Sequence, residues 1–257
     1  MKLLISDSTR IAHFIAIFRN LKNIVSMVNI RFSDKGLYFQ GMDQNHICFL
    51  EIFIKSSWFN EFTSKEYVLG INTEILFSAI NNWKEGYSII LEYDDGDTLK
   101  ITYKGEKLLT KQYELHLIDL DIDNINVPET DYDLDLVLDS SVFKDVITEL
   151  VQFDKNISVS CSLVKINMKA SGDMGKVDIE IQDDDIVEYA AALDDDEIIT
   201  LNYGGDNILH GCNFNKLNNN VNVHISKDMP IKINYEIGEC NESYVRLYVA
   251  PKIDDNI

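Results

Sequence analysis

Two runs of acidic side chains are the residues of this sequence whose type and spacing come closest to a reaction centre. They lie at residues 183–185 and 194–197. Clustered carboxylates can bind a divalent cation and support metal-assisted hydrolysis, as in a nuclease. However, carboxylates crowded in sequence rarely converge on one ion without a defined loop spacing, and acidic runs are usually solvated. The runs favour exposed loops, with a metal nuclease as the lesser alternative.

Other patterns that carry chemistry do not occur in the chain. It contains no GxxxxGK[ST], GxGxxG, HExxH or GxSxG motif, so nucleotide binding and the common hydrolase mechanisms lack their usual residues. The four cysteines form no CxxC pair and no Cys/His cluster, which predicts reduced core thiols rather than a zinc site or disulfides. We therefore predict a protein that is not an enzyme and that uses no cofactor and no metal.

The charge of the chain restricts how it could interact with nucleic acid. Lys and Arg number 23 against 43 Asp and Glu, which gives a formal net charge of −20. Such a chain repels phosphate backbones on average, so any contact with DNA must be local or topological. No apolar run approaches the roughly 20 residues that a membrane span needs, and we expect a soluble protein that is not secreted.

The two halves of the chain repeat the same order of elements. Each opens with an amphipathic helix, at residues 8–23 and 140–155, with hydroxyl N-cap candidates at Ser8 or Thr9 and at Ser140 or Ser141. Shorter helices are predicted at residues 72–83 and 206–214. Alternating strands are predicted at residues 25–32, 37–40, 47–54, 88–93, 99–103, 113–117, 133–138, 165–170, 177–181, 221–225, 231–235 and 243–249.

This repetition predicts a duplicated α+β architecture. We expect an N-terminal domain at residues 1–117, a connecting loop at residues 118–132 and a C-terminal domain at residues 133–257. The connector lacks clean periodicity and contains Pro128.

Three segments resemble eukaryotic-type proliferating cell nuclear antigen: MDQNHI at residues 42–47, YELHLIDLD at 113–121 and VAPKI at 249–253. The likeness covers essentially the whole chain. It implies the DNA clamp (processivity) fold, in which two similar domains place antiparallel sheets outside and two helices each inside. It also implies a homotrimeric ring that encircles double-stranded DNA independently of sequence.

The resemblance assigns residues to three surfaces. Edge strands around residues 110–117 and 176–182 would join copies of the chain, through Tyr113, Leu115, Leu117, Val177, Ile179 and Ile181. Client peptides would dock on Met42, His46, Ile47, Ile125, Val127, Pro128, Tyr132, Pro230, Tyr248, Ala250 and Pro251. Phosphates would meet Arg10, His13, Arg19, Lys22, Lys84, Lys144, His210 and Lys216.

The DNA-facing set departs from the family pattern. Lysines and arginines of the family are replaced here by Ser78, Asn81, Asp145, Thr148 and Asn213. We therefore expect a weakly positive channel and weak direct affinity for DNA.

The implied partners are a DNA polymerase, a flap endonuclease, a ligase and a clamp loader, all bound through short peptides and serving DNA replication and repair. The implied location is the nucleus, or a viral replication compartment if the chain is virus-encoded. Because the DNA-facing set contains few basic residues, an alternative is a clamp-like peptide-binding or regulatory protein with weak or no productive loading onto DNA.

Overall fold

A computed structural model describes residues 1–128, 130–182, 186–227, 229–238 and 242–252. The chain divides into two compact units. The first contains residues 1–44, 51–126 and 237–245, and the second contains residues 45–50, 127–236 and 246–257.

The first unit contains two helices and two antiparallel groups of strands. Its helices are α1 (Ser8–Leu21) and α2 (Thr73–Ile80). Its strands are β1 (Lys2–Ile5), β2 (Met27–Phe32), β3 (Gly36–Met42), β4 (Cys48–Lys55, in this unit from Glu51), β5 (Glu61–Thr63), β6 (Tyr67–Asn72), β7 (Ser88–Glu92), β8 (Thr98–Lys104) and β9 (Lys111–His116). One sheet has the order β5-β1-β7-β8-β9, and the other group has the order β4-β3-β2-β6.

The second unit repeats this composition. Its helices are α3 (Ser140–Phe153) and α4 (Gly205–Cys212). Its strands are β10 (Leu134–Asp139), β11 (Asn156–Cys161), β12 (Lys165–Gly172), β13 (Gly175–Gln182), β14 (Glu188–Ala191), β15 (Ile199–Gly204), β16 (Asn220–Ile225), β17 (Ile231–Glu236) and β18 (Tyr244–Val249, in this unit from Arg246). The strand orders are β13-β12-β11-β15 and β14-β10-β16-β17-β18. The two helices of each unit contact each other.

The long helices form where the apolar stripes predict them, but their predicted N-caps are wrong. Asp7 caps α1, accepting a hydrogen bond from the Arg10 N–H at 2.8 Å. Asp139 caps α3 and accepts from the N–H groups of the first turn. A carboxylate one residue before each hydroxyl takes the role, because either type can accept from the free N–H groups of a first turn. The Ser140 hydroxyl instead donates to loop carbonyls, among them that of Asn218 at 2.7 Å.

The shorter helices also form, each ending before its predicted limit. In α4, Gly211 has a poor helix propensity, but a Cβ atom there would lie 2.7 Å from Cδ1 of Ile233. The glycine therefore lets α4 approach β17 closely, which outweighs its poor helix propensity.

Six strands, β1, β5, β6, β11, β14 and β15, have no counterpart among the predicted ones. Three of them have only three or four residues, and Gly70 interrupts the strand signal of β6.

Candidate functional site

The strands predicted to join copies of the chain both lie at sheet edges. β9 ends the order of the five-stranded sheet in the first unit, and β13 ends the order of the four-stranded sheet in the second. Each has a sheet neighbour on one side only among the described residues. An edge strand presents backbone donors and acceptors to a further strand, so both can accept a partner.

The six side chains predicted for these edges differ in exposure. The Tyr113 ring is half-buried and lies 5.8 Å from that of Tyr103, measured between ring centroids. Leu115 and Ile181 are buried within their own units, whereas Leu117, Val177 and Ile179 are half-buried.

The polar side chains of β13 form cross-strand pairs with β12. Lys169 Nζ lies 3.1 Å from the Asp178 carboxylate, and Lys165 pairs with Glu180 at 2.5 Å. The polar face of this edge is thus already neutralised in part.

In the first unit, Arg19 and Lys22 converge on an aromatic ring that the sequence analysis did not single out. Lys22 Nζ lies 5.3 Å from the centroid of the Phe77 ring, and Arg19 Cζ lies 5.9 Å from it. Arg19 also donates to Asn81 Oδ1 at 3.4 Å. Both cations contact the ring, because the face of an aromatic ring attracts positive charge. The only sequence signal for the contact of Arg19 and Lys22 with Phe77 is the helical spacing of Phe77 on α2.

Arg10 and His13 lie in a different environment, on the wall of a cavity of about 400 Å³. One Arg10 guanidinium N–H donates to the Trp58 carbonyl at 2.7 Å. Burial lowers the pKa of His13 below its ordinary value, and the neighbouring Asp7 carboxylate only partly opposes this. His13 is therefore neutral at physiological pH and offers no positive charge to a phosphate. Lys84 is exposed just beyond α2.

The second unit contributes fewer cations. Lys144 and His210 are half-buried on α3 and α4, and Lys216 is exposed beyond α4. Asp145 and Glu149 are exposed on α3 and add negative charge to the same helix. The helices thus carry a mixed rather than a strongly basic surface.

Of the predicted peptide-docking residues, Met42 and Ile125 belong to the first unit. Met42 is half-buried, and the Ile125 side chain is 47% exposed. The Ile125 N–H donates to Oε1 of Gln40 at 3.2 Å, so a residue that the sequence analysis missed holds the backbone of a predicted docking residue.

The other nine belong to the second unit, where the structure brings some of them together. The Ala250 N–H donates to the Ile47 carbonyl at 3.0 Å, which joins the C-terminal segment to the residue after His46. His46 is exposed with a positive φ of 56°, and Pro128 and Pro230 are exposed. Val127 and Pro251 are half-buried.

The two predicted tyrosines of this unit have aromatic neighbours that the sequence analysis did not name. Tyr248 packs on Phe49 with 5.8 Å between ring centroids, and Tyr132 packs on His224 at 5.4 Å. Burial lowers the pKa of His224, although its hydrogen bond with Asp135 works in the opposite direction.

Comparisons with known proteins bear on the whole chain. A family model described as "Proliferating cell nuclear antigen, N-terminal domain" matches residues 9–125, and its C-terminal counterpart matches residues 126–252. The chain belongs to the proliferating cell nuclear antigen family. The fold class expected from the resemblance, an α+β clamp fold of two similar domains, is therefore confirmed.

Relatives from two cellular organisms and one virus align with most of this chain. The chain is 24% identical to a proliferating cell nuclear antigen of Chaetomium thermophilum, over 92% of this chain and 93% of the relative. It is 24% identical to a "Probable DNA polymerase sliding clamp" of Autographa californica nuclear polyhedrosis virus, over 91% of each chain. Proliferating cell nuclear antigen 2 of Drosophila melanogaster is 26% identical, with 91% of this chain and 92% of the relative covered.

Carboxylates and thiols are the remaining groups that could carry chemistry in this member of the proliferating cell nuclear antigen family. Among the described residues, no three His, Cys, Asp or Glu side chains are grouped to hold a metal ion. The acidic run at residues 183–185 lies outside the described residues, as does Cys240. Cys48, Cys161 and Cys212 are buried, and burial raises the pKa of Cys161 to about 12. No helix in the described ranges is long and apolar enough to cross a membrane.

Proposed function

We infer that this sliding clamp acts as a closed homotrimeric ring around duplex DNA and tethers replication proteins to it. The observation that carries the proposal is that the N-terminal and C-terminal domain models of the family match residues 9–125 and 126–252, in that order. The two edge strands, one on each unit, support the ring in particular.

Ring closure is proposed to pair β9 of one copy with β13 of the next. Because the two edges are unlike, each copy offers one of each, and repeating this head-to-tail contact closes a ring when the rotation permits. Tyr113 is the aromatic anchor that we assign to the centre of this contact, since aromatic residues often dominate interface energies.

Contact with DNA is proposed to be weak and independent of sequence. Arg19 and Lys22, held beside Phe77, are the strongest candidates for phosphate contacts, and Lys84, Lys144 and Lys216 are secondary ones. His13 is neutral and the Arg10 guanidinium already donates one N–H to a backbone carbonyl, so we expect α1 to add few phosphate contacts beyond those of Arg19 and Lys22. The ring therefore relies on enclosing the duplex.

Client proteins are proposed to bind through short peptides that carry one aliphatic and two aromatic side chains on a helical turn. The predicted docking residues within each unit are mostly apolar, for example exposed Ile125 in the first and half-buried Tyr248 in the second, and apolar side chains suit such a motif. The connecting loop at residues 118–132 is assigned to this role. We further propose that the chain catalyses no reaction itself and works at a nuclear or viral site of replication.

The decisive experiment loads the protein onto primed circular DNA with a matched clamp loader and measures synthesis by a client polymerase. We expect stimulated synthesis, and a mass in light scattering of about three times 29.5 kDa. The Ile125→Asp and Pro251→Asp variants should keep the mass and lose the stimulation, because charge is poorly tolerated in an apolar docking site. A monomer at micromolar concentration would contradict the ring.

A second candidate function is motivated by the mixed charge of the helices. A clamp-like protein that binds client peptides without productive loading would assemble into a trimer and bind peptides, yet fail to stimulate synthesis with the loader. The same assay therefore separates the two candidates.

A further inference from the structure

The first part of the connector, residues 118–126, is tied to the first unit although it contains no helix or strand. The Ile118 N–H donates to the Gly70 carbonyl of β6 at 2.9 Å. The next tie is to β2, where Asn29 Nδ2 donates to the Leu120 carbonyl at 3.0 Å.

Two more ties hold the far end of this segment. Arg31 Nε, also on β2, donates to Asn124 Oδ1 at 3.0 Å. On β3, Oε1 of Gln40 accepts the Ile125 N–H at 3.2 Å. The segment thus runs over three successive strands, β6, β2 and β3, and each strand supplies at least one hydrogen bond to it.

The alternation of β2 explains how one strand can both fill the core and hold the connector. Val28, Ile30 and Phe32 are buried, whereas Asn29 and Arg31 are half-buried on the opposite side of the strand. Side chains two positions apart share a face of a strand, so the two polar residues can reach the same crossing segment.

Gln40 is the most buried of the polar residues that hold the connector, with 8% of its surface exposed. Its orientation is fixed, because a backbone N–H can only donate and the amide oxygen must therefore face Ile125. The amide nitrogen Nε2 is left buried without a hydrogen-bond partner. A buried donor in this state destabilises the fold, so selection for stability alone does not account for a glutamine here.

We propose that Asn29, Arg31 and Gln40 are positioning residues of the peptide-docking surface. They hold the connector so that the exposed Ile125 side chain is in place before a client peptide arrives. This inference rests on the proposed function of the connector. A segment without regular structure loses conformational freedom on binding, and part of that loss is avoided when the free protein already holds it.

The first test is the Gln40→Met variant, in which a side chain of similar length lacks both polar atoms. Hydrogen exchange of the Ile125 amide should become about 2- to 10-fold faster, the range that one net hydrogen bond supports. The affinity for a synthetic peptide with one aliphatic and two aromatic residues on a helical turn should fall by a similar factor, because fewer molecules hold the competent conformation. The melting temperature should stay constant or rise, since the variant removes an unsatisfied donor.

The exposed Gln152 on α3 provides a matched control. Gln152→Met makes the same chemical change away from the connector and should alter neither the exchange of Ile125 nor the peptide affinity. If Gln40→Met weakened binding only in proportion to a lower melting temperature, Gln40 would be a structural residue and the proposal would be overturned.

A double-mutant cycle tests the second tie independently. Arg31→Met and Asn124→Ala should each reduce peptide affinity, and the double variant should be no weaker than the worse single one, because both remove the same contact. Additive losses would assign the two residues separate roles and overturn the positioning account for Arg31.

Peptide binding by the unmodified protein separates the positioning role of the three residues from the docking surface itself. If the unmodified protein binds the peptide and none of the variants weakens it, the positioning role is wrong and the docking surface stands. If the unmodified trimer does not bind the peptide at all, the proposed docking surface fails and the positioning role fails with it.

Discussion

Gly70 shows how the absence of one side chain fixes the start of the connector. A Cβ atom at this position would lie 2.1 Å from the Ile118 carbonyl oxygen, which no rotamer change could relieve. We predict that Gly70→Ala separates β6 from the connector and lowers the free energy of unfolding by about 1–3 kcal/mol. Chemical denaturation at a fixed protein concentration measures this loss.

Gly96 is the control for that substitution. In its turn, a Cβ atom would come no closer than 3.4 Å to any atom, the nearest being Asp94 Oδ1. Gly96→Ala should therefore change the unfolding free energy by no more than about 0.5 kcal/mol. Equal losses in the two variants would show that the close approach at Gly70 is not what requires glycine.

At this scale, the sequence could indicate residue types better than residue partners. The family resemblance predicts that exposed Ile125 is a docking residue. Gln40, which holds its backbone, carries no signal, because one polar residue inside an apolar strand pattern is compatible with many environments. Asp7 was missed for another reason: the adjacent Ser8 and Thr9 are equally good caps, and only the backbone conformation decides between them.

At the scale of elements, the edge positions of β9 and β13 lead to a test of ring assembly. Tyr113→Ala on β9 should convert the trimer at least partly to a monomer of 29.5 kDa at micromolar concentration. The reason is that loss of an aromatic anchor often costs an interface about 2–4 kcal/mol. Light scattering over a dilution series measures the shift.

Tyr93 provides a comparison that loses a similar aromatic contact away from the edge. Its ring packs on that of Tyr67 at 5.0 Å, whereas the Tyr113 ring packs on that of Tyr103 at 5.8 Å. Tyr93→Ala should destabilise the unit without changing the mass of the assembly. If both variants dissociate to the same extent, general destabilisation and not the β9 edge explains the effect.

The helices and most strands of six or more residues were predictable because their apolar periodicity spans several residues. The short strands β5 and β14 hold too few residues to show alternation, and both lie at sheet edges where partners decide their conformation. The poor helix propensity of Gly211 is a local property, whereas its close approach to Ile233 depends on the packed sheet. The missing information was tertiary in each case.

At the scale of the whole molecule, the negative net charge opposes attraction to DNA, whereas enclosure of the duplex does not depend on attraction. A chain of charge −20 with few available cations on its helices should hold DNA poorly by attraction. We predict that protein loaded on a nicked circular plasmid stays bound at about 0.5 M salt, where charges are screened within a few ångströms. A single restriction cut should release it, and the protein should then no longer co-elute with the DNA in gel filtration. Salt-induced loss from the intact circle, or equal retention on linear DNA with free ends, would mean that surface contacts rather than threading hold the protein.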